Sequence, residues 1–429
     1  MCLRTGRALA VTALVAASAT VAAVASSADA APVQGSAAPA AAPAGRSATW
    51  GHHVDLRSLT AGRTAQLRAA AAEGPPPPPA VPAAPYPFKV TKLSTDVLAP
   101  FHIGVDPKKQ PYVAEGFFGA LLKFNGKVPA PVFVVPKALQ GGEVTGIDFA
   151  KDGSWAATYG RTTDDGASSA AFLRIQPARG KAVTVDLGGY ERKNNPDKVN
   201  HYGAQTNDPC ALAAFDFTSQ GGPPAKYTGL VDTHAYSVAA VPGGWVAADA
   251  AGNDLIVVDT KGRIKAAYVL PPVGVKITPA IAAAQHLPDC TIGVTYNFEP
   301  VPTDAEYAAG KLYVSTLSGG YEGLGLPTGA AWTVGLDGKH LTLLASGFLG
   351  ATGLTVTPSG TVLVAELGAS RIDRIAKGKI VPLFALPNAL SVQYANGSIY
   401  AGGLADLDFS GPRPVIKHTG SFVRYDYKP

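Results

Sequence analysis

From Tyr86 onward short apolar runs alternate with Gly-containing turns, and one phrase recurs along the chain. It consists of a short alternating strand, a turn, a second strand rich in Val, Tyr and Ala that ends in a polar residue, and two further strands. The second strands read Tyr112-Val113-Ala114-Glu115, Trp155-Ala156-Ala157-Thr158, Trp245-Val246-Ala247-Ala248-Asp249, Leu312-Tyr313-Val314-Ser315-Thr316, Leu363-Val364-Ala365-Glu366 and Ser398-Ile399-Tyr400-Ala401. Their shorter spacings, about 40 to 50 residues, match one four-stranded propeller blade, and the longer ones imply insertions. Asp152-Gly153, Gly243-Gly244, Ser359-Gly360 and Asn396-Gly397 each precede a second strand, where a tight hairpin needs residues that tolerate positive φ.

The pattern therefore predicts an all-β chain, a six-bladed β-propeller over 86–429. A strand from Phe88 to Leu98 stands ahead of the first full repeat, while the last repeat, from Pro387, must complete a ring. The economical solution is that the N-terminal strand supplies the outer strand of the last blade. Such closure removes sheet edges that would otherwise invite aggregation.

Before the repeats, Arg4 and Arg7 lead into an almost uncharged stretch that ends at Ala28-Asp29-Ala30. This order of basic, apolar and small residues predicts a cleaved signal peptide over 1–30, and so an exported protein with no membrane insertion of the mature chain. Residues 31–85, with the Pro75 to Pro79 run, read as a disordered Ala/Pro-rich linker.

Charged residues are only 16% of the chain, Gly (48) and Pro (36) are abundant, and the formal net charge is +5. The charge is small and dispersed, which excludes nucleic acid and anionic membrane as natural partners. Without Cys2 two cysteines remain. In an oxidising compartment, with no Cys-x-x-Cys beside them, Cys210 and Cys290 are expected to form a disulfide. It would close a loop of about 80 residues, worth roughly 4 kcal/mol by chain-entropy arithmetic.

In a meandering blade the chain starts the first strand and leaves the second on the same face of the disc. That face gathers Glu115, Thr158, Asp249, Thr316 and Glu366 with His102, Thr145, His234, Thr303, Asp304 and Thr352. Two insertions, 188–232 and 271–300, and the loop 317–330 emerge there too, and long loops on a rigid scaffold are where binding resides. The ligand-binding candidates are Glu115, His234, Tyr236, Asp249, Glu299, Thr303, Asp304 and Glu366. Glu115, Asp249, Asp304 and Glu366 are the metal candidates, for a divalent cation such as calcium. Acids after strands are equally turn formers, and the aromatic residues at repeat positions are blade core. No Gly-x-Ser-x-Gly, His-Glu-x-x-His or phosphate loop is present.

Several phrases resemble the ScyD/ScyE family of secreted proteins, relatives of NHL-repeat propellers. They are Leu187-Gly188-Gly189-Tyr190-Glu191 with Asn194-Asn195-Pro196-Asp197, Val231 to Val238, Ala248 to Leu255, Tyr296 to Asp304, Leu312 to Gly320 and Val364 to Leu367. The resemblance implies a six-bladed propeller and export, and carries over no catalytic residues. The leading functional reading is a non-catalytic binding protein for a small molecule, an extracellular polymer or another protein, through the loop-rich face. The alternative is a metal-dependent lactonase-like hydrolase or lyase with a cation near the axis.

Overall fold

The computed structural model describes residues 88–125, 129–163, 169–220, 222–319, 326–408 and 415–427. The expected signal peptide and the whole of the linker lie outside the described residues, as does part of the loop 317–330.

Six four-stranded antiparallel sheets follow one another around an axis. The first blade comprises Pro100–Val105, Pro111–Glu115, Ala120–Lys123 and Ala130–Val134. The second comprises Glu143–Phe149, Trp155–Arg161, Ala170–Gln176 and Val183–Asp186, and the third Ala235–Val241, Gly244–Asp249, Asp254–Asp259 and Ile264–Val269. Pro302–Ala308, Lys311–Thr316, Gly329–Val334 and Thr342–Phe348 form the fourth, and Ala351–Val356, Val362–Glu366, Arg371–Ala376 and Lys379–Ala385 the fifth. The sixth takes Ala389–Ala395, Ser398–Gly403 and Ser421–Tyr427 from the end of the chain and Phe88–Ser94 from its first described residues.

That last pairing is antiparallel, with Phe88 opposite Tyr427 and Val90 opposite Tyr425. Phe88 packs edge-on against Phe384 and Tyr425, at 5.5 and 6.0 Å between ring centroids, so the closing strand is anchored in the core between the fifth and sixth blades. Ring closure by the N-terminal strand, expected from the leftover segment, is the observed topology.

Every innermost strand carries an irregularity at its start, between Pro100 and His102, Val144 and Gly146, Ala235 and Ser237, Pro302 and Asp304, Ala351 and Gly353, and Ala389 and Ser391. A bulge re-aims side chains, and here it brings neighbouring inner strands into hydrogen-bond contact around the whole ring. His102 Nδ1 donates to Thr145 O (2.6 Å), Thr145 to Ala235 O (2.7 Å) and Ser237 to Asp304 Oδ1 (2.6 Å). Thr303 donates to Ala351 O (2.7 Å), Thr352 to Ala389 O (3.4 Å) and Ser391 to Pro100 O (2.6 Å). The approach is close enough that a Cβ on Gly146 would lie 2.9 Å from the Ser237 Cα.

The two long insertions do not remain loops. His201–Ala204 and Lys226–Thr228 from one pair with Val273–Lys276 and Thr295–Phe298 from the other as a seventh four-stranded sheet beside the ring. Phe215, Phe217, Ile277, Tyr296 and Phe298 are its core, and Cys210 and Cys290 are joined in a disulfide with Cα atoms 6.1 Å apart. Among the described residues no helix is long and apolar enough to cross a membrane.

Candidate functional site

The two ends of the axis differ. On the insertion-bearing face Phe101, Tyr236 and Leu390, the bulge residues of the first, third and sixth inner strands, meet Leu98, Phe117 and Val301 in one buried apolar cluster. Phe101 and Tyr236 lie 5.4 Å apart, and the Tyr236 ring is flanked edge-on by His102 (5.3 Å) and His234 (5.5 Å). This plug closes the axis.

At the other end, where the first and second strands of each blade turn into one another, the channel opens into a cavity of about 400 Å³. Ile103, Ile147, Val238, Leu354 and Val392 form its apolar wall, and Asp148, Asp304, Glu306, His102 and Lys151 supply its polar groups. Asp304 Oδ1 accepts from Ser237 Oγ (2.6 Å) and from the Ala305 N–H (2.8 Å), and Oδ2 from the Leu354 N–H (2.8 Å). His102 Nε2 stands 3.3 Å from Asp304 Oδ1. Burial would discharge His102, but the Asp304 carboxylate outweighs it and holds the imidazole above its usual value. With Nδ1 bonded to a carbonyl, that nitrogen carries a proton, and Nε2 faces the Asp304 carboxylate.

Asp148 accepts from the Ala240 N–H (2.7 Å) and its own neighbour Phe149 (2.7 Å). Burial pushes its carboxyl up to about 6, with Asp304 adding to the rise. Glu306 accepts from the Val356 N–H (3.2 Å), and burial, reinforced by Asp148 and Asp304 and opposed by a bond from Thr355, raises it to about 8. Of these two carboxyl groups, Asp148 therefore gives up its proton at lower pH than Glu306.

Of the residues singled out from the sequence, Asp304 lines this cavity, and so does His102 from the wider set. The acids ending the second strands share an architectural role, since each receives the backbone leading into its own blade. Glu115 accepts from the N–H groups of Leu98 (2.9 Å), Ala99 (2.8 Å) and Phe117 (3.2 Å), and burial still raises it to about 7. Asp249 accepts from Thr233 Oγ1 (2.5 Å) and the His234 N–H (2.6 Å), and Glu366 from the Leu349 N–H (2.6 Å) and Arg371 (2.7 Å). His234 Nε2 meets Glu143 Oε1 at 2.7 Å in a buried pair. Thr303 staples the fourth blade to the fifth, Tyr236 belongs to the plug, and Glu299 bridges to Gly319.

The four residues put forward as metal ligands, Glu115, Asp249, Asp304 and Glu366, stand in four different blades. Among the described residues the one group of three ligand atoms within 4.8 Å of one another is Asp208 with Cys210 and Cys290, whose sulfurs are spent in the disulfide. Asp148 and Glu306 were not singled out from the sequence. Their signal was an acid inside an inner strand, in Gly-Ile-Asp-Phe and Asp-Ala-Glu-Tyr, where the other blades carry Gly104, Ala239, Thr355 and Gln393 at the matching position.

No protein family and no curated protein matches the chain. Solved structures do. A catalytically inactive virginiamycin B lyase from Staphylococcus aureus with quinupristin is 14% identical over 80% of this chain and 100% of that one, with a TM-score of 0.42. A gluconolactonase from Xanthomonas campestris is 10% identical, covering 83% and 99%, at 0.44. A nidogen/laminin complex is 12% identical, covering 68% and 84%, at 0.39. Likeness at this level bears on fold and not on chemistry. By its own sheet order, the chain is a six-bladed β-propeller with one inserted sheet.

Proposed function

We propose that this is an exported, non-catalytic binding propeller of the ScyD/ScyE type, and that its small-molecule site is the channel mouth on the hairpin face. One observation carries the reading: an open cavity of about 400 Å³ with three carboxyl groups set in an apolar wall. The matching ligand is a small molecule with a protonated nitrogen on an apolar body. Asp304, with three donors on its two oxygens, shapes the site, while Asp148, with one donor on each oxygen, and Glu306 retain acceptor positions for the cation. The disulfide supports export. A polymer or protein partner on the insertion-bearing face belongs to the same proposal as a second, larger contact.

A hydrolase or lyase reading draws on a different observation, that Asp148 and Glu306 titrate on either side of neutrality, as an acid and base pair does. Titration calorimetry with small amines and with neutral polyols of equal size, at about pH 5.5 and about pH 8.5, separates the readings. Cation capture favours ionised carboxyl groups, so amines should bind more tightly at the higher pH, and Asp148→Asn or Glu306→Gln should cost about tenfold. Polyols binding as well as amines, with neither substitution mattering, would overturn the proposal. Turnover of a bound amine would select the enzyme.

A further inference from the structure

In five of the six blades the last residue of the second strand faces the first residue of the third. In the fifth blade this pair is Glu366 and Arg371, joined at 2.7 Å, and Arg371 also bonds Asp373 (2.8 Å). In the first blade it is Glu115 opposite Ala120. In the third blade it is Asp249 opposite Asp254, two carboxylates that are both 0% exposed. Like charges directly opposed across a strand pair are unfavourable, and buried ones require compensation. Asp249 has it, from the hydroxyl and N–H groups of the loop before its blade. Asp254 does not: neither of its oxygens has a hydrogen-bond partner.

The first insertion brings more acid to the same place. Glu191, on the helix Leu187–Asn194, and Asp197, on the turn Pro196–Val199, are both buried, and their charges act on Asp254 together with that of Asp249. Asn253, also 0% exposed, takes left-handed backbone (φ 56°) and donates Nδ2 to Asp197 Oδ2 (2.8 Å) and Ala251 O (3.4 Å). Those two acceptors fix the orientation of its amide, because the flipped form would set oxygen against carboxylate. Its Oδ1, like the Asp254 oxygens, has no partner.

The geometry points to a divalent-cation site between the first insertion and the third blade, with Asp254 and Asn253 Oδ1 on the blade and Glu191 and Asp197 on the insertion as its protein ligands. An all-oxygen, carboxylate-rich set suits calcium. No three of these carboxylates have oxygens within 4.8 Å of one another in this structure, so binding of an ion requires the insertion and the blade to approach each other. The site lies away from the channel mouth and is independent of its ligand.

Chelator-treated, disulfide-intact protein titrated with calcium chloride alone tests this, followed by calorimetry and melting temperature. One ion per chain and a melting temperature higher by several degrees are expected. Asp254→Asn should abolish both, Glu191→Gln should weaken binding about tenfold, and Asn253→Ala serves if Asp254→Asn fails to fold. Neutralisation of Asp254 by a proton predicts the opposite: no heat, no bound ion, and a melting temperature that falls with rising pH equally in calcium and in chelator. That result would overturn the site.

Discussion

The two ends of the propeller axis are built from the same six strands yet opposite materials. At one end the bulge residues Phe101, Tyr236 and Leu390 bury one another. At the other end Asp148, Asp304 and Glu306, on the inner strands of the second and fourth blades, surround open space. The apolar end contributes cohesion, since burial of large side chains is the dominant favourable contribution to folding. The polar end carries a stability cost, since two of its carboxyl groups are held away from their ordinary ionisation. Stability and recognition have thus been separated along one axis.

The sharpest way to break this contrast is to empty the plug. Phe101→Ala should lower stability by about 3–5 kcal/mol, read by chemical denaturation, and leave amine affinity at the mouth nearly unchanged in the protein that remains folded. Next in size is the disulfide that joins the two insertions. Cys210→Ser should cost roughly 2–4 kcal/mol at most, because the link joins two surface insertions and not the blades. Residues 188–232 should become more sensitive to protease while the β-sheet spectrum of the ring persists.

A third test addresses the polar end and has a defined sign. Glu306 is raised from 4.5 to about 8 in the folded protein, so the folded state holds its proton more tightly than the unfolded one. The associated stability is complete below about pH 4.5 and is lost as pH rises to about 8. Glu306→Gln removes that loss. The variant should match the parent at pH 4 and exceed it by about 1–3 kcal/mol at pH 9, measured as denaturation midpoints across pH. The smallest effect belongs to the belt between the ends. Ser391→Ala deletes one cross-blade bond, to Pro100 O (2.6 Å), and should cost about 1 kcal/mol.

Much of this architecture was legible in the residues. The second-strand phrases locate the blades because each hairpin demands its own turn chemistry, and the unmatched Phe88 strand implies the closure. The seventh sheet was not legible. Its strands are three or four residues long, as in Lys226–Thr228 and His201–Ala204, too short for a period. They also pair between insertions, as Gly203 does with Asn297. The site was half legible. Asp304 was recognised, but Glu115, Asp249 and Glu366 look identical to ligands in sequence because nothing local shows that the loop before each blade folds back to bond them. The bulge shared by all six inner strands, which sets which side chains face the axis, has no residue signature of its own.

The pairing of Phe88–Ser94 with Ser421–Tyr427 has a kinetic meaning. The sixth blade cannot exist until segments more than three hundred residues apart have met, so the contact that completes the ring is also the one of greatest loop-closure entropy. Formed late, it should be largely absent from the transition state for folding, and interactions of that kind slow unfolding more than they speed folding. The strand acts as a latch on lifetime: removing it should shorten the half-life of the native state far more than it delays the assembly of the other five blades.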